Sequence, residues 1–169
     1  MKISEFLSPA DVLIDLQCSD KRQVLQELAR RAAATLDLPA DKIAAELLKR
    51  EELGSTGTGG GIAIPHGRIQ SLTKPFGLLA RLKEPIDFGA IDGQPVDLIF
   101  LLLLPMAAKA DPFGALASVA RRLRTPEALV ELRRAQNASE AYTAMLFRTG
   151  VLSPLVARQV RTTLGSRLV

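Results

Sequence analysis

Apolar and polar positions along the chain repeat with two periods, one typical of helices and one typical of strands. Apolar residues at three- and four-residue intervals predict a helix that is capped by Ser19 or Asp20 and ends near Leu36. A proline near a first turn and a glycine just past the end predict a second helix from Pro39 to Leu53. The nearly unbroken apolar run Val96–Leu104 predicts a central strand covered on both faces.

The remaining segments predict shorter elements on either side of this strand. Further strands are predicted at Val12–Gln17, Ile62–Ile64 and Phe76–Leu82, with a short edge segment at Pro85–Phe88. Helices are predicted at Lys2–Leu7 and after the caps Asp111, Thr125 and Ser139. The order of a helix pair, several strands and three helices predicts an α/β fold, with a single mixed β-sheet sandwiched between helices on both faces.

Composition limits the number of domains, the kind of core and the kinds of site that the chain can form. The 169 residues fit one domain, and 47% of them are hydrophobic but only 4% aromatic, so the core is mostly aliphatic. Cys18 is the only cysteine and His66 the only histidine, which excludes an internal disulfide and a histidine–cysteine zinc cluster. No cofactor and no metal is therefore expected.

The net charge of +4 does not favour a nucleic-acid partner, because of where the charge lies. Residues 148–169 carry four arginines and no acidic residue, so the first 147 residues are neutral overall. A nucleic-acid-binding domain normally carries its basic excess on the folded body. The N-terminus lacks a signal-peptide pattern, and the longest apolar run, Leu98–Leu104, is far shorter than the roughly 20 residues that span a bilayer. We expect a cytoplasmic protein with no integral membrane segment.

The stretch Gly54–Arg68 carries the candidate chemistry. It contains six of the twelve glycines and the only histidine, in the order Gly-Ser-Thr-Gly-Thr-Gly-Gly-Gly-Ile-Ala-Ile-Pro-His-Gly-Arg. Glycine lets backbone N–H groups approach an anion, and histidine can accept and release a charged group near neutral pH. The stretch matches neither the Walker A loop, since Gly60 stands where lysine is required, nor the dinucleotide fingerprint. Local features leave two interpretations open: a phosphate site, or a flexible loop with a structural histidine.

A wider set of residues resembles one family. Arg50-Glu-Glu-Leu-Gly-Ser-Thr-Gly57, followed by Ile64-Pro-His-Gly-Arg68, is similar to the IIA proteins of the phosphotransferase system (PTS). The similarity is to the fructose/mannitol (type 2) family, and within it to the nitrogen-regulatory EIIA proteins. Later segments match in order: Phe76–Leu82, Pro85–Phe88, Asp92–Asp97 and Leu116–Leu123. The resemblance covers residues 1–147 and leaves residues 148–169 as a basic tail. Its four-residue apolar spacing fits an amphipathic helix, and we expect a helix packed on its own domain or a partly disordered terminus, with a surface that docks a partner or a membrane as the alternative.

The resemblance implies a phosphotransferase in which His66 accepts a phosphoryl group from an HPr-type phosphocarrier and Arg50 stabilises it. Elementary chemistry agrees, because a neutral imidazole is a competent nucleophile and a guanidinium binds phosphoryl oxygens as a fork. Further phosphate contacts are expected from Ser55, Thr56, Gly61, Gly67 and Arg68. The resemblance also implies regulatory target proteins, such as potassium-transport or sensor-kinase components.

One departure keeps alternatives open. Members of this family commonly carry a second histidine where this chain has Pro112. One alternative is therefore a non-catalytic interaction module with the same fold. Another is a sugar-transport IIA component that passes its phosphate to a IIB domain.

Overall fold

The computed structural model describes residues 1–107 and 112–147, and the elements below belong to those ranges. Six strands are present: Leu7–Leu16 (β1), Gly57–Gly59 (β2), Ile62–Ala63 (β3), His66–Ile69 (β4), Phe76–Ile86 (β5) and Val96–Pro105 (β6). Five α-helices accompany them: Lys21–Leu36 (α1), Ala40–Glu52 (α2), Pro112–Leu123 (α3), Pro126–Arg134 (α4) and Ala138–Leu146 (α5). No described helix is long and apolar enough to cross a membrane.

The sheet is mixed and is built around β6. The strand order is β1-β5-β6-β3-β2, and β4 also pairs with β6. β6 runs antiparallel to β5 on one side and parallel to β3 and β4 on the other. Because β6 has neighbours on both sides and helices on both faces, its residues from Leu98 to Leu104 are all buried.

Helices cover the two faces of the sheet and divide the core into two clusters. One cluster joins α1 and α2 to alternate residues of the central strands, such as Ile99, Leu101 and Leu103. The other joins α3, α4 and α5 to the intervening residues, such as Leu98 and Phe100. This is the predicted fold class, a mixed sheet between helical layers.

The predicted edge segment at Pro85–Phe88 was wrong, because β5 continues through Pro85 to Ile86. The partner strand β1 last pairs with β5 at Leu82, and the pairing with β6 is irregular between Arg81 and Ile86. Proline lacks the N–H that a regular ladder needs, and here it falls where the ladder is already interrupted.

Other element boundaries also differ from the sequence predictions. The first helix is a single 3-10 turn, Ile3–Glu5, and β1 begins at Leu7 rather than Val12. The last helix is capped by Asn137, not Ser139, because the Asn137 side chain accepts a hydrogen bond from the Glu140 N–H. The predicted cap Asp111 and the basic tail lie outside the described residues.

The glycine stretch is a strand pair and not a flexible loop. β2 and β3 form a short antiparallel hairpin with Gly60 and Gly61 as the turn, and Gly59, Gly60 and Gly61 all have positive φ. Gly61 lies against the ion pair in which the Arg133 guanidinium donates to both carboxylate oxygens of Asp97 at 2.8 Å. Arg133 Nη2 also donates to the Gly60 carbonyl at 2.8 Å, so α4 holds the turn in place.

We expect Gly61→Ala to destabilise the protein more than Gly93→Ala. Both glycines have similar φ, +79° and +69°, so either alanine costs about 1 kcal/mol in backbone strain. A Cβ at Gly61 would lie 2.5 Å from Arg133 Nη2 and 2.8 Å from Asp97 Oδ1, whereas one at Gly93 meets nothing within 4 Å. To make room, the Arg133 side chain has to move away from the Gly60 carbonyl, and the lost hydrogen bond adds about 1 kcal/mol at Gly61 alone. Urea unfolding of both variants tests this, and equal losses would contradict it.

Candidate functional site

His66 is the first residue of β4. β4 pairs with β6 in parallel, with His66 opposite Leu102, and the Leu102 N–H donates to the Pro65 carbonyl at 2.9 Å. Side chains alternate along β4, so His66 and Arg68 point to one side and the buried Gly67 and Ile69 to the other. The histidine therefore sits on a rigid strand next to the centre of the sheet.

The hydrogen bonds of His66 define its tautomer. Arg50 Nε lies 3.1 Å from His66 Nε2, and an arginine nitrogen can only donate, so Nε2 is the unprotonated acceptor. The other ring nitrogen, Nδ1, lies 2.9 Å from the Ile64 carbonyl oxygen and carries the proton that this oxygen accepts. The neutral imidazole thus presents the lone pair of Nε2 toward Arg50.

Arg50 reaches the histidine from the last turn of α2. This helix packs directly on β4, with Glu46 and Leu47 against Gly67. The Arg50 guanidinium also donates through Nη1 to the Gly54 carbonyl at 3.0 Å. One guanidinium therefore joins the histidine to the residue just past the helix end.

A cavity of about 480 Å³ opens beside this pair. Its polar lining comes from α2 and β4, namely Glu46, Lys49, Arg50, His66, Gly67 and Arg68. Its apolar lining comes from the end of α2, the end of β6 and α3, namely Leu53, Leu104, Met106, Phe113 and Leu116. Three cationic side chains face one carboxylate among these described residues, so the cavity favours an anion such as a phosphoryl group.

Large apolar side chains form an exposed rim around the cavity. Leu53 is 83% exposed, Phe113 74% and Met106 54%. An exposed apolar patch with a charged centre is typical of a protein–protein contact surface. We call Leu53, Met106 and Phe113 the apolar rim.

The predicted site residues are only partly brought together. Arg50, His66, Gly67 and Arg68 all line the cavity, whereas Ser55, Thr56 and Gly61 do not. The Ser55 hydroxyl donates to the Phe88 carbonyl at 3.0 Å, and the Thr56 hydroxyl to Glu51 Oε2 at 2.6 Å. Gly61 lies at the hairpin turn beside Arg133. The structure thus gives these three residues partners within the fold instead of a place at the cavity.

Glu51 is the partner that holds Thr56. Its carboxylate accepts from the Thr56 N–H, the Thr56 hydroxyl and, at 3.0 Å, Lys21 Nζ. Burial by itself raises the pKa of Glu51, but the hydrogen bonds from Thr56 and Lys21 outweigh it and leave the pKa lowered. The carboxylate is therefore charged at neutral pH.

Sequence reasoning missed Glu51, Lys49 and the apolar rim. Lys49 and Leu53 could have been found from the sequence. Together with Glu46 and Arg50 they follow the i, i+3, i+4, i+7 spacing of one helix face. That face adjoins the buried face formed by Ile43 and Leu47, since Arg50 follows Leu47 by three residues. Among the described residues, no group of three or more His, Cys, Asp or Glu side chains could hold a metal ion.

Pro112 stands at the start of α3, beside the cavity. The helix begins at this residue, and the next residue, Phe113, lines the cavity. Proline is well suited to a first helical position because its missing N–H is not needed there. Proline at this position is thus compatible with the helix start.

Comparisons with known proteins show which chains this one resembles. Residues 5–146 match the family model described as "Phosphoenolpyruvate-dependent sugar phosphotransferase system, EIIA 2". A nitrogen regulatory protein of Bradyrhizobium diazoefficiens is 46% identical over 145 residues, which cover 86% of this chain and 95% of that protein. A nitrogen regulatory protein of Escherichia coli K12 is 38% identical over 143 residues, which cover 84% and 88%.

A solved structure extends the similarity to three dimensions. The crystal structure of the nitrogen regulatory protein IIA-Ntr from Neisseria meningitidis superposes with a TM-score of 0.80 at 31% identity. The match covers 85% of this chain and 98% of that one. The similarity therefore holds over nearly the whole described part of the chain.

Proposed function

This chain belongs to the EIIA 2 family of the phosphoenolpyruvate-dependent sugar phosphotransferase system, among its nitrogen regulatory proteins, and we propose that His66 carries a phosphoryl group. The donor is the phosphohistidine of an HPr-type phosphocarrier, and the phosphorylation state of His66 is read by partner proteins. The observation that carries the proposal is the unprotonated Nε2 of His66, 3.1 Å from Arg50 at the edge of a cationic cavity.

The proposed transfer needs no separate base. The Nε2 lone pair attacks phosphorus while the bond between phosphorus and the donor's imidazole nitrogen breaks, and that electron pair returns to the donor. Nδ1 keeps its proton, and the Ile64 carbonyl stabilises the positive charge that develops on the ring. Arg50 Nε has to leave the lone pair first, and the guanidinium then binds the phosphoryl oxygens.

Arg68 and Lys49 add charge to the same cavity. Arg68 shares the side of β4 that carries His66, and its side chain is exposed. Lys49 precedes Arg50 on the cavity face of α2. Both stabilise the incoming phosphoryl group over several ångströms without the fixed geometry that Arg50 provides.

Phosphorylation changes the surface that a partner meets. A phosphoryl group adds nearly two negative charges to a cavity that is otherwise cationic, at the centre of the apolar rim. Charge of the opposite sign at the centre of a docking surface alters which partners bind. This supports a regulator whose two states bind partners differently.

The proposal is tested by incubation with phosphoenolpyruvate, enzyme I and an HPr-type phosphocarrier, followed by intact mass spectrometry. We expect a gain of one phosphoryl group that requires the phosphocarrier. If the protein stays unmodified while the same phosphocarrier phosphorylates another IIA protein, the chain is an interaction module instead. If the phosphorylated protein drives sugar phosphorylation with IIB and IIC partners, it is a transport component.

The apolar rim predicts how the phosphocarrier docks. We expect Leu53→Ser to raise the KM for the phosphocarrier about tenfold and leave kcat unchanged, because an apolar contact at a docking surface contributes about 1.4 kcal/mol to binding. Leu53 is 83% exposed, so the fold does not depend on it. Val130→Ser is the control, since Val130 is an exposed apolar residue of α4 that does not line the cavity. Equal KM values for both variants would contradict docking at the rim.

A further inference from the structure

Glu51 follows Arg50 directly in the sequence, but its side chain turns away from the cavity and into the protein. The carboxylate is 7% exposed, although carboxylates are rarely buried. Its oxygens accept from Lys21 Nζ at 3.0 Å, from the Thr56 N–H at 3.0 and 3.2 Å, and from the Thr56 hydroxyl at 2.6 Å. Lys21 lies at the start of α1 and Thr56 just before β2, so this one side chain joins three segments.

Thr56 links this carboxylate to His66. The Thr56 carbonyl accepts from the Ile64 N–H at 3.0 Å, and the Ile64 carbonyl in turn accepts from His66 Nδ1 at 2.9 Å. Only one residue, Ile64, separates the segment held by Glu51 from the imidazole. A shift of Thr56 therefore moves the acceptor that fixes the histidine tautomer.

The same carboxylate also helps to fix the segment that accepts a hydrogen bond from Arg50. The segment from Glu51 to Thr56 is closed by the bonds of the Glu51 side chain to Thr56 and by the Gly54 N–H donating to the Glu51 carbonyl at 3.1 Å. Within that closed segment, the Gly54 carbonyl accepts from Arg50 Nη1 at 3.0 Å. The guanidinium has one anchor on this segment and a second on His66 Nε2.

From these contacts we propose that Glu51 is a positioning residue for phosphoryl transfer, which orients His66 through Thr56 and Ile64 and Arg50 through Gly54. The inference rests on the proposed function of His66. Glu51 itself does not line the cavity and touches no reacting atom. It acts by fixing two hydrogen-bond acceptors, the carbonyls of Ile64 and Gly54, that hold the reacting side chains.

The buried charge supports a positioning role rather than a purely structural one. Desolvation of a carboxylate and an ammonium offsets much of their attraction, so a buried ion pair is a poor source of stability compared with apolar packing. A charged carboxylate, however, accepts several short hydrogen bonds at defined angles. The Glu51 carboxylate accepts from the N–H and the hydroxyl of Thr56 and still has an oxygen lone pair for Lys21.

The test compares Glu51→Gln with Glu27→Gln. Glu27 is a matched control, because it is a helical carboxylate that also accepts from two side chains, Arg30 and Arg31, but belongs to α1 and does not line the cavity. The first readout is the tautomer of His66 in unphosphorylated protein, measured by proton–nitrogen correlation NMR of the single histidine. The second is kcat and KM for phosphoryl transfer from the phosphocarrier.

For Glu51→Gln we expect a mixture of both tautomers and a kcat about tenfold lower, with KM for the phosphocarrier unchanged. For Glu27→Gln we expect the wild-type tautomer and kcat. A Glu51→Gln protein that keeps one tautomer and the wild-type kcat would overturn the inference.

A second pair of variants keeps the test decisive if Glu51→Gln does not fold. Thr56→Val removes the hydroxyl that donates to Glu51 and is expected to reproduce the mixed tautomer, whereas Thr56→Ser retains the hydroxyl and is expected to restore a single one. Identical spectra for the two variants would overturn the inference. The tautomer readout needs no phosphoryl transfer, so it decides the role of Glu51 even if wild-type protein accepts no phosphate and the proposed function fails.

Discussion

Replacing His66 with glutamine is expected to abolish phosphorylation of the protein by the phosphocarrier while leaving the fold intact. The chain has no other histidine, and the other side-chain nitrogens of the described cavity belong to the ammonium of Lys49 and the guanidinium groups of Arg50 and Arg68, which offer no lone pair for attack. Loss of a nucleophile lowers turnover on the order of 10⁶-fold in other enzymes, which here means no detectable product. Intact mass spectrometry measures the effect.

The fold control for this variant is its thermal unfolding. His66 is half-buried at the start of β4, and its two hydrogen bonds join it to Ile64 and Arg50. Glutamine has one donor and one acceptor end and can replace both bonds in part. We expect a loss of about 1 kcal/mol in unfolding free energy. Phosphorylation of the His66→Gln protein would show that another residue accepts the group.

Replacing Arg50 with methionine is expected to slow phosphoryl transfer by 10²- to 10³-fold without changing KM for the phosphocarrier. The guanidinium is the described cation that contacts His66 directly, and removing one preoriented donor from a developing charge costs about 3–4 kcal/mol. The rate is measured by quenching samples at set times and determining the phosphorylated fraction of the protein by intact mass spectrometry.

Two further substitutions, one at Arg50 and one elsewhere on α2, separate the charge of Arg50 from its geometry. Arg50→Lys keeps the charge but loses the planar fork that contacts both His66 and Gly54, so we expect a rate about tenfold below wild type. Lys42→Met removes an exposed cation from the opposite end of α2, and we expect it to be neutral. A wild-type rate for Arg50→Met would reduce Arg50 to an ordinary surface arginine.

The helical part of the fold follows from local signals. Asp20 accepts from the Gln23 N–H as the predicted cap of α1, and the predicted end of α2 near Leu53 lies within a residue of the structure. Such caps act over three or four residues, which is why a sequence reveals them. The central strand β6 was equally evident, because an unbroken apolar run that ends at a proline is typical of a strand covered on both faces.

The strands of the candidate site were harder to predict. The sequence Pro65-His66-Gly67 is typical of a turn, yet His66–Ile69 is a strand because β6, much later in the chain, supplies its pairing partner. β2 was missed for a related reason, since glycine is depleted in strands and only the hairpin with β3 makes Gly57–Gly59 one. Pairing between distant segments is not encoded in any short window.

The site itself was predicted through resemblance more than through spacing. Nothing in a separation of 16 residues shows that Arg50 and His66 are in contact, because that contact depends on α2 packing across β4. The hydroxyls of Ser55 and Thr56 show the opposite case, in which a sequence pattern indicates a site but the fold uses the residues elsewhere. Their position in a glycine-rich stretch indicated phosphate contacts, but buried partners such as Phe88 and Glu51 use them instead, and only tertiary structure reveals those partners.

The central claim is that the phosphoryl group is bonded to Nε2 of His66, and nitrogen NMR of the phosphorylated protein tests it at that atom. Protein labelled with ¹⁵N-histidine gives one pair of ring nitrogens, because the chain has a single histidine. We expect phosphorus coupling at Nε2, with Nδ1 still protonated against the Ile64 carbonyl. Coupling at Nδ1, or a phosphorylated protein whose histidine signals do not change, would contradict the account.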